Sequence, residues 1–464
     1  MNESEIEVKH SKLVYFSNGF GRFNDEFLTM AFGAYVFFFY ETEIKLNVWL
    51  IGLGFIIFAI YNAINDPVIG YLTDRPFKFT KKWGRRFPFI LFGGIPWIIC
   101  YILLYSPPNQ DPVKGALLIF LWLLLATCLY DTFQSIYMVN FYALFPDKFR
   151  SVKERRTAAG LGIMISVFGI VLGAIIPPLF ITFGDINSYF IQAIVVIIIG
   201  LIALSLAIPG VRDDQIYVDL YLAKALEEPK RDPFFKTMKT QIKQKNFKAY
   251  FIAFVFYQSM TACMIASIPY LVRYIFRMEA EAISLVMVGF LIGALISFPV
   301  WIVIGQKIND NRKTIIFAGA VMTIVTAPLI FITDYYLFVF AILIWGFGLG
   351  GFWILLDPVL GDVIDEQVIR TGKRSEGITY GVRAFFGRFS LVVQALTFAI
   401  IHTLTGFNEN VEVQSAEAIW GIQLHLSLIP MIFILISTLT IWRLYDLNAE
   451  KVKINKEKLA ELGL

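Results

Sequence analysis

Charge is scarce in this chain. Asp, Glu, Lys and Arg fill 16% of 464 positions against 57% for hydrophobic residues, and the mean hydropathy is +0.67. A soluble domain carries about 25% charge, so this composition excludes a water-exposed globule and indicates a membrane protein. Cysteine is nearly absent: Cys100, Cys128 and Cys263 each sit inside an apolar run, without paired or metal-ligand spacing. That pattern argues against a disulfide framework or a structural zinc. No P-loop, HExxH or GxSxG motif stands where chemistry could use it, which argues against an enzyme. The net charge of +4 reports loop placement and is no argument for a nucleic-acid partner. Residues Met1 to Ser11 lack the basic start and short apolar core of a secretory leader, so none is expected.

What the chain has is apolar length. A helix crosses about 30 Å of hydrocarbon with about twenty residues. Twelve such segments are read at 14–40, 47–73, 88–106, 116–145, 157–182, 189–209, 248–276, 281–306, 313–333, 336–361, 377–405 and 419–444. The predicted fold is therefore all-α: a polytopic membrane protein of twelve spans in two six-helix halves. Its divisions are 1–210, a cytoplasmic linker at 211–247, 248–445 and a cytoplasmic tail at 446–464. The loop after span 2 holds Arg75, Lys78, Lys81, Lys82, Arg85 and Arg86, and that after span 4 holds Lys148, Arg150, Lys153, Arg155 and Arg156. Basic short loops stay in the cytoplasm, which places both termini inside. In the linker, Asp232 and Pro233 open a stretch with Phe234, Phe235, Met238 and Ile242 among lysines. It suits an amphipathic surface helix and equally a solvated charged linker. Gly169 with Gly173 in span 5, and Gly346, Gly348, Gly350 and Gly351 in span 10, permit close helix packing.

The polar residues inside these runs carry the functional reading. Asn62, Asn65 and Asp66 fall at i, i+3 and i+4 and share one helical face. Pro67 denies the Ala63 carbonyl its usual donor. A charge at mid-span costs roughly 2.5–3.5 kcal/mol on insertion scales, so such residues mark a substrate or ion path. Oxygen ligands suit a hard cation such as Na⁺, and Asp66 alone suits a proton; the plainer alternative pairs Asp66 with a nearby Arg. Asp25, Asp131 and Arg388 lie near the middles of spans 1, 4 and 11, as a polar substrate cavity requires; buried pairing is the alternative. Tyr257, Gln258 and Trp353 add aromatic and hydrogen-bonding surface that fits a sugar ring, a lipid tail or ordinary packing. Asp74, Arg85 and Arg86, and Asp362, Asp365 and Arg374, are positioned for ion pairs of a cytoplasmic gate, or for static ones. His402 and His425 read as structural polar residues.

The run Tyr61-Asn62-Ala63-Ile64-Asn65-Asp66-Pro67-Val68-Ile69-Gly70-Tyr71-Leu72-Thr73-Asp74, with Trp83-Gly84-Arg85-Arg86 after it, resembles the glycoside-pentoside-hexuronide cation symporters, the melibiose permease group of the major facilitator superfamily. Asp362-Val363-Ile364-Asp365-Glu366 with Thr371-Gly372-Lys373-Arg374-Ser375-Glu376-Gly377, and Lys12-Leu13-Val14-Tyr15 with Phe20-Gly21, resemble further segments of that family. The resemblance implies sugar uptake driven by a Na⁺, Li⁺ or H⁺ gradient, with Asp66 and Asn65 at the cation site and no other cofactor. Asn62 stands where the family has a second acid, which favours H⁺ or uncoupled transport. Arg388 matches a lysine that links the cation and sugar sites. Asp25 approximates the sugar-binding acid of span 1, and Met138 replaces that of span 4, for which Asp131 is the candidate substitute. Animal carriers of this fold move lysophospholipids, so the alternatives are a lysolipid or other amphipathic solute, a uniporter, or a non-transporting receptor. The expected partners are a small-molecule substrate and membrane lipid, with the chain a monomer.

Overall fold

The computed structural model describes residues 8–74, 77–224, 238, 241–372 and 376–461. Among the described residues the regular elements are all helices, and the chain divides into two compact units, Met1–Lys230 and Arg231–Leu464.

The N-terminal unit contains α1 (Lys12–Phe38), α2 (Val48–Thr73), α3 (Phe87–Cys100), α4 (Ala116–Lys148), α5 (Val152–Ile175) and α6 (Ile186–Val211). Local chemistry sets their ends. The Asn47 side chain accepts from the Trp49 amide at 2.9 Å to open α2. Ser151 and Glu154 stand at capping-box spacing, with Ser151 Oγ accepting from the Glu154 amide at 3.5 Å to open α5. α2 continues through Pro67 to Thr73; neighbouring helices tolerate the freed carbonyl in a membrane segment. The GxxxG of α5 does what small residues permit: a Cβ on Gly169 or Gly173 would stand 2.5 Å from the carbonyl oxygens of Phe23 and Phe27. α1 and α5 therefore meet backbone to backbone.

The C-terminal unit contains α7 (Lys245–Tyr270), α8 (Ala282–Ile308), α9 (Asn311–Thr326), α10 (Tyr335–Thr371), α11 (Glu376–Gly387), α12 (Phe389–Thr405), α13 (Ala416–Gln423) and α14 (Ile429–Leu444). Asp310 and Asp334 cap α9 and α10 through the amides of Lys313 and Leu337 at 3.0 and 2.8 Å. The segment read as one span at 377–405 is two helices with a turn at Arg388, where the Leu391 amide reaches the Arg388 carbonyl at 3.1 Å. Gly387, a poor helix former, stands just before the break. Span 12 likewise changes register through a π turn, Leu424–Leu428, between α13 and α14.

Among the described residues, eleven helices are long and apolar enough to cross a membrane. The other long helix of the N-terminal unit, α1, carries Arg22, Asp25 and Glu26 within its 27 residues. Of the linker residues read as an amphipathic helix, Asp232 to Phe235 lie outside the described residues, as does Arg374, while the Ile242 amide reaches the Met238 carbonyl at 2.9 Å.

Candidate functional site

α2 and α4 are joined by polar side chains where both are otherwise apolar. Asn62 and Asn65 donate from Nδ2 to the two oxygens of Asp131, the Asn65 bond measuring 3.0 Å. Asn65 Nδ2 also donates to Ser135 Oγ at 3.1 Å, and Ser135 Oγ donates to Asp66 Oδ1 at 2.5 Å. A directed chain results, with Asp131 and Asp66 at its acceptor ends and two amides and a hydroxyl between them. Asp131 and Ser135 are i, i+4 on α4, facing Asn62, Asn65 and Asp66 of α2. Asp131 is fully buried, and Asn62 is 1% exposed. Tyr61 and Thr132 extend the contact with a hydroxyl pair at 2.6 Å.

One atom is left over. Asn62 Oδ1 is buried and has no hydrogen-bond partner among the described residues. A buried acceptor without a donor costs about 1–3 kcal/mol. It belongs to the side chain whose Nδ2 donates to the Asp131 carboxylate. Asp131 of α4 is thus hydrogen-bonded to Asn62 and Asn65, two of the residues read from the sequence as cation ligands. Ser135 was not singled out from the sequence, although its i+4 spacing from Asp131 was a usable signal.

The other candidates occupy distinct surroundings. Asp25 Oδ2 accepts from Tyr142 Oη at 2.7 Å, and Arg22 lies 5.7 Å from the Tyr142 ring centroid. Tyr257 is 1% exposed and stacks on Phe352 at 5.0 Å, so its ring serves α7–α10 packing. Trp353 packs against Phe290 and Phe298 at 6.0 and 6.4 Å and is half-buried, as is Gln258. Arg388 is half-buried at the turn between α11 and α12. The C-terminal unit also holds an ion pair not singled out beforehand, between Arg383 of α11 and Asp357 of α10, with the guanidinium 4.9 Å over the Phe254 ring of α7. The partners are 26 positions apart, too far for helical spacing to reveal.

At the end of α2 the residues of this unit read from the sequence as a gate are drawn together. Asp74 Oδ1 accepts from Arg85 Nη2 at 3.2 Å and Arg86 Nη2 at 2.5 Å, while Arg85 reaches Asp147 at 3.5 Å and Arg86 reaches Asn140 at 3.1 Å. Asp213 Oδ2 accepts from the amides of Arg86 and Phe87 at 2.9 and 2.8 Å, capping α3. Gly84 adopts φ +95°, and a Cβ there would overlap Asp213, so only glycine lets the loop lie against that carboxylate. In the C-terminal unit, Asp362 accepts from Asn311 Nδ2 at 2.9 Å, and Asp365 is half-buried on the same helix.

Burial pushes the Asp213 carboxyl above its ordinary value, although the Phe87 and Arg86 amides and the charges of Arg86 and Lys148 pull it down. A raised folded value means that the folded chain binds this proton more tightly than the unfolded chain. The resulting stability is full below the ordinary carboxyl value of about 4 and is lost as pH rises through the raised one. Asp213→Asn should flatten that part of the pH dependence in thermal unfolding of the detergent-solubilised chain. An unchanged profile would remove Asp213 from the account.

Comparison with known proteins follows this geometry. A family model described as MFS/sugar transport protein matches residues 17–449. The chain is 23% identical over 442 residues to the sodium-dependent lysophosphatidylcholine symporter 1-A of Danio rerio, covering 86% of this chain and 79% of that protein. It is also 23% identical over 434 residues to the glucuronide carrier protein homolog of Escherichia coli (strain K12), covering 91% and 90%. Among solved structures, a variant of the nucleoside transporter NupG superposes with a TM-score of 0.61 at 10% identity, covering 93% of this chain and all of that one, a likeness of fold alone. Eleven apolar helices long enough to cross a membrane among the described residues and a match across nearly the whole length agree: the chain is a multi-pass membrane transporter, not an enzyme, and belongs to the MFS/sugar transport protein family.

Proposed function

We propose that the chain is a cation-coupled symporter of a sugar or glycoside, working by alternating access, with the Asp66–Ser135–Asn65–Asp131–Asn62 chain as its cation site. The pair of carboxylates bridged between α2 and α4, Asp131 buried and Asp66 half-buried, carries this reading. Two acids from two helices respond to a cation jointly: filling the site cancels charge on both helices, and emptying it restores their repulsion. Transporter sites of this kind sit near mid-bilayer, where helix movements alter access. With both negative charges present, Na⁺ is the preferred ion and H⁺ the alternative, a revision of the inference from Asn62 alone. Asp25, Arg388, Gln258 and Trp353 are assigned to the substrate, and both termini to the cytoplasm. The Asp74–Arg85–Arg86 cluster is assigned to the inner gate, with Asp362 and Asp365 as its counterparts in the C-terminal unit.

A second reading, carriage of a lysolipid, is supported by the relationship to the Danio rerio symporter. Uptake by proteoliposomes separates the two. A labelled sugar panel and a labelled lysolipid are offered with Na⁺ and pH gradients imposed separately. The proposal expects accumulation of a sugar above equilibrium only when a cation gradient points inward. Lysolipid accumulation without sugar uptake would install the second reading, and exchange without accumulation would make the protein a uniporter.

A further inference from the structure

The chain has three histidines, and two of them meet in the C-terminal unit. His402, near the end of α12, and His425, in the π turn between α13 and α14, are 2% and 0% exposed. Their Nε2 atoms are 3.1 Å apart. An N···N contact at this distance requires a proton between the rings. His425 Nδ1 stands 2.6 Å from Ser267 Oγ of α7, and that hydroxyl is also 2.6 Å from the Cys263 carbonyl oxygen. A hydroxyl has one hydrogen to give. If it goes to the carbonyl, Ser267 Oγ accepts from His425 Nδ1–H, and His425 Nε2 offers its lone pair to His402 Nε2–H. The four groups then form one directed chain from α12 through the π turn to α7.

We propose that His402 and His425 together form a proton-binding site, separate from the carboxylates of the N-terminal unit. One proton taken from water leaves an imidazolium donating its Nε2–H to a neutral imidazole. The pair gains a single positive charge, and no heavy-atom bond changes. The N–H···N link becomes charge-assisted, about twice as strong as its neutral form. Aromatic faces supply further stabilisation: His425 stacks on Phe398 at 4.2 Å, and His402 stacks on Phe407 at 4.4 Å. A cation over a ring face is attracted by the quadrupole. A second proton would remove the acceptor and place like charges side by side, so the site holds one.

The surrounding ionisable groups can be named element by element. From α7 come the Tyr270 phenol, with ring centroids 5.2 and 5.7 Å from His402 and His425, and the Cys263 thiol one turn before Ser267. The π turn that follows α7 adds Tyr274, packed on Phe407 at 5.3 Å, and Arg273, 5.3 Å from the Tyr274 ring. Glu417 is exposed on the first turn of α13. Burial raises the cost of the added charge. The π turn itself is explained by the same contacts. It carries His425 between Ser267 and His402, and such insertions recur at functional sites.

The test is nitrogen NMR of the full-length, histidine-labelled protein in nanodiscs, with the His10 signal assigned through His10→Gln. The expected result is a scalar coupling between two Nε2 atoms and one shared protonation step as the sample is acidified, with uptake of a single proton by the pair. Independent protonation of the two rings, or protonation of neither before the helices unfold, would overturn the proposal. His402→Gln and His425→Gln should each abolish the shared step while leaving the circular dichroism of the helices unchanged. Ser267→Ala should keep the proton but lose the fixed His425 tautomer. A full one-proton step in either histidine variant would equally overturn it.

Discussion

Asp66→Asn is expected to reduce substrate accumulation in energised proteoliposomes to the equilibrium level while leaving exchange of substrate for substrate. The amide matches the carboxylate in size, and its Oδ1 still accepts from Ser135, so the link between α2 and α4 survives. What disappears is one of two negative charges that a cation must meet. If one positive charge enters with each substrate, a membrane potential contributes about 2.3 kcal/mol per 100 mV, roughly fifty-fold in accumulation. That factor should fall to one. Asp131→Asn should give the same loss, because this carboxylate belongs to the same chain of hydrogen bonds. Undiminished accumulation in both variants would remove the cation role.

Gly346→Leu is expected to produce the largest loss of stability. A Cβ on Gly346 would overlap the Phe290 carbonyl oxygen, and one on Gly293 would overlap that of Leu343, so α8 and α10 touch through reciprocal glycines. Backbone cannot yield as a flexible side chain can. Overpacking costs about 1–3 kcal/mol and occasionally more, and leucine here should reach the top of that range, read as a fall of the thermal midpoint in detergent. Gly361 offers a control in the same helix, because a Cβ there meets open space. Gly361→Ala should stabilise by about 0.4–1 kcal/mol through the unfolded chain. Equal midpoints for the two variants would contradict close packing of α8 on α10.

The architecture was legible because the bilayer writes its thickness into the sequence as apolar runs about twenty residues long. The caps at Asn47, Ser151 and Asp334 came from the structure and were not singled out from the sequence. The face formed by Asn62, Asn65 and Asp66 was readable from helical spacing alone. Its partner was not. Asp131 lies 65 positions beyond Asp66, and only the crossing of α2 and α4 makes them neighbours. Sequence reading therefore put Asp131 with the substrate; its hydrogen bonds join it to Asn62 and Asn65. The same blindness separated His402 from His425 and Arg383 from Asp357, since each pair lies on different helices. The break at Arg388 was hidden because hydropathy is continuous across 377–405, and hydropathy reports burial in lipid, not helical regularity.

Equilibrium cation binding to the purified chain tests the central claim most directly. Titration calorimetry with Na⁺ at neutral pH, repeated at low pH where protons compete, is run on the wild type and on the Asp66→Asn, Asp131→Asn double variant. The account predicts one saturable Na⁺ per wild-type chain, weakened as pH falls, and none for a double variant with the same helical content. Na⁺ or proton binding that persists unchanged after both carboxylates are neutralised would contradict it.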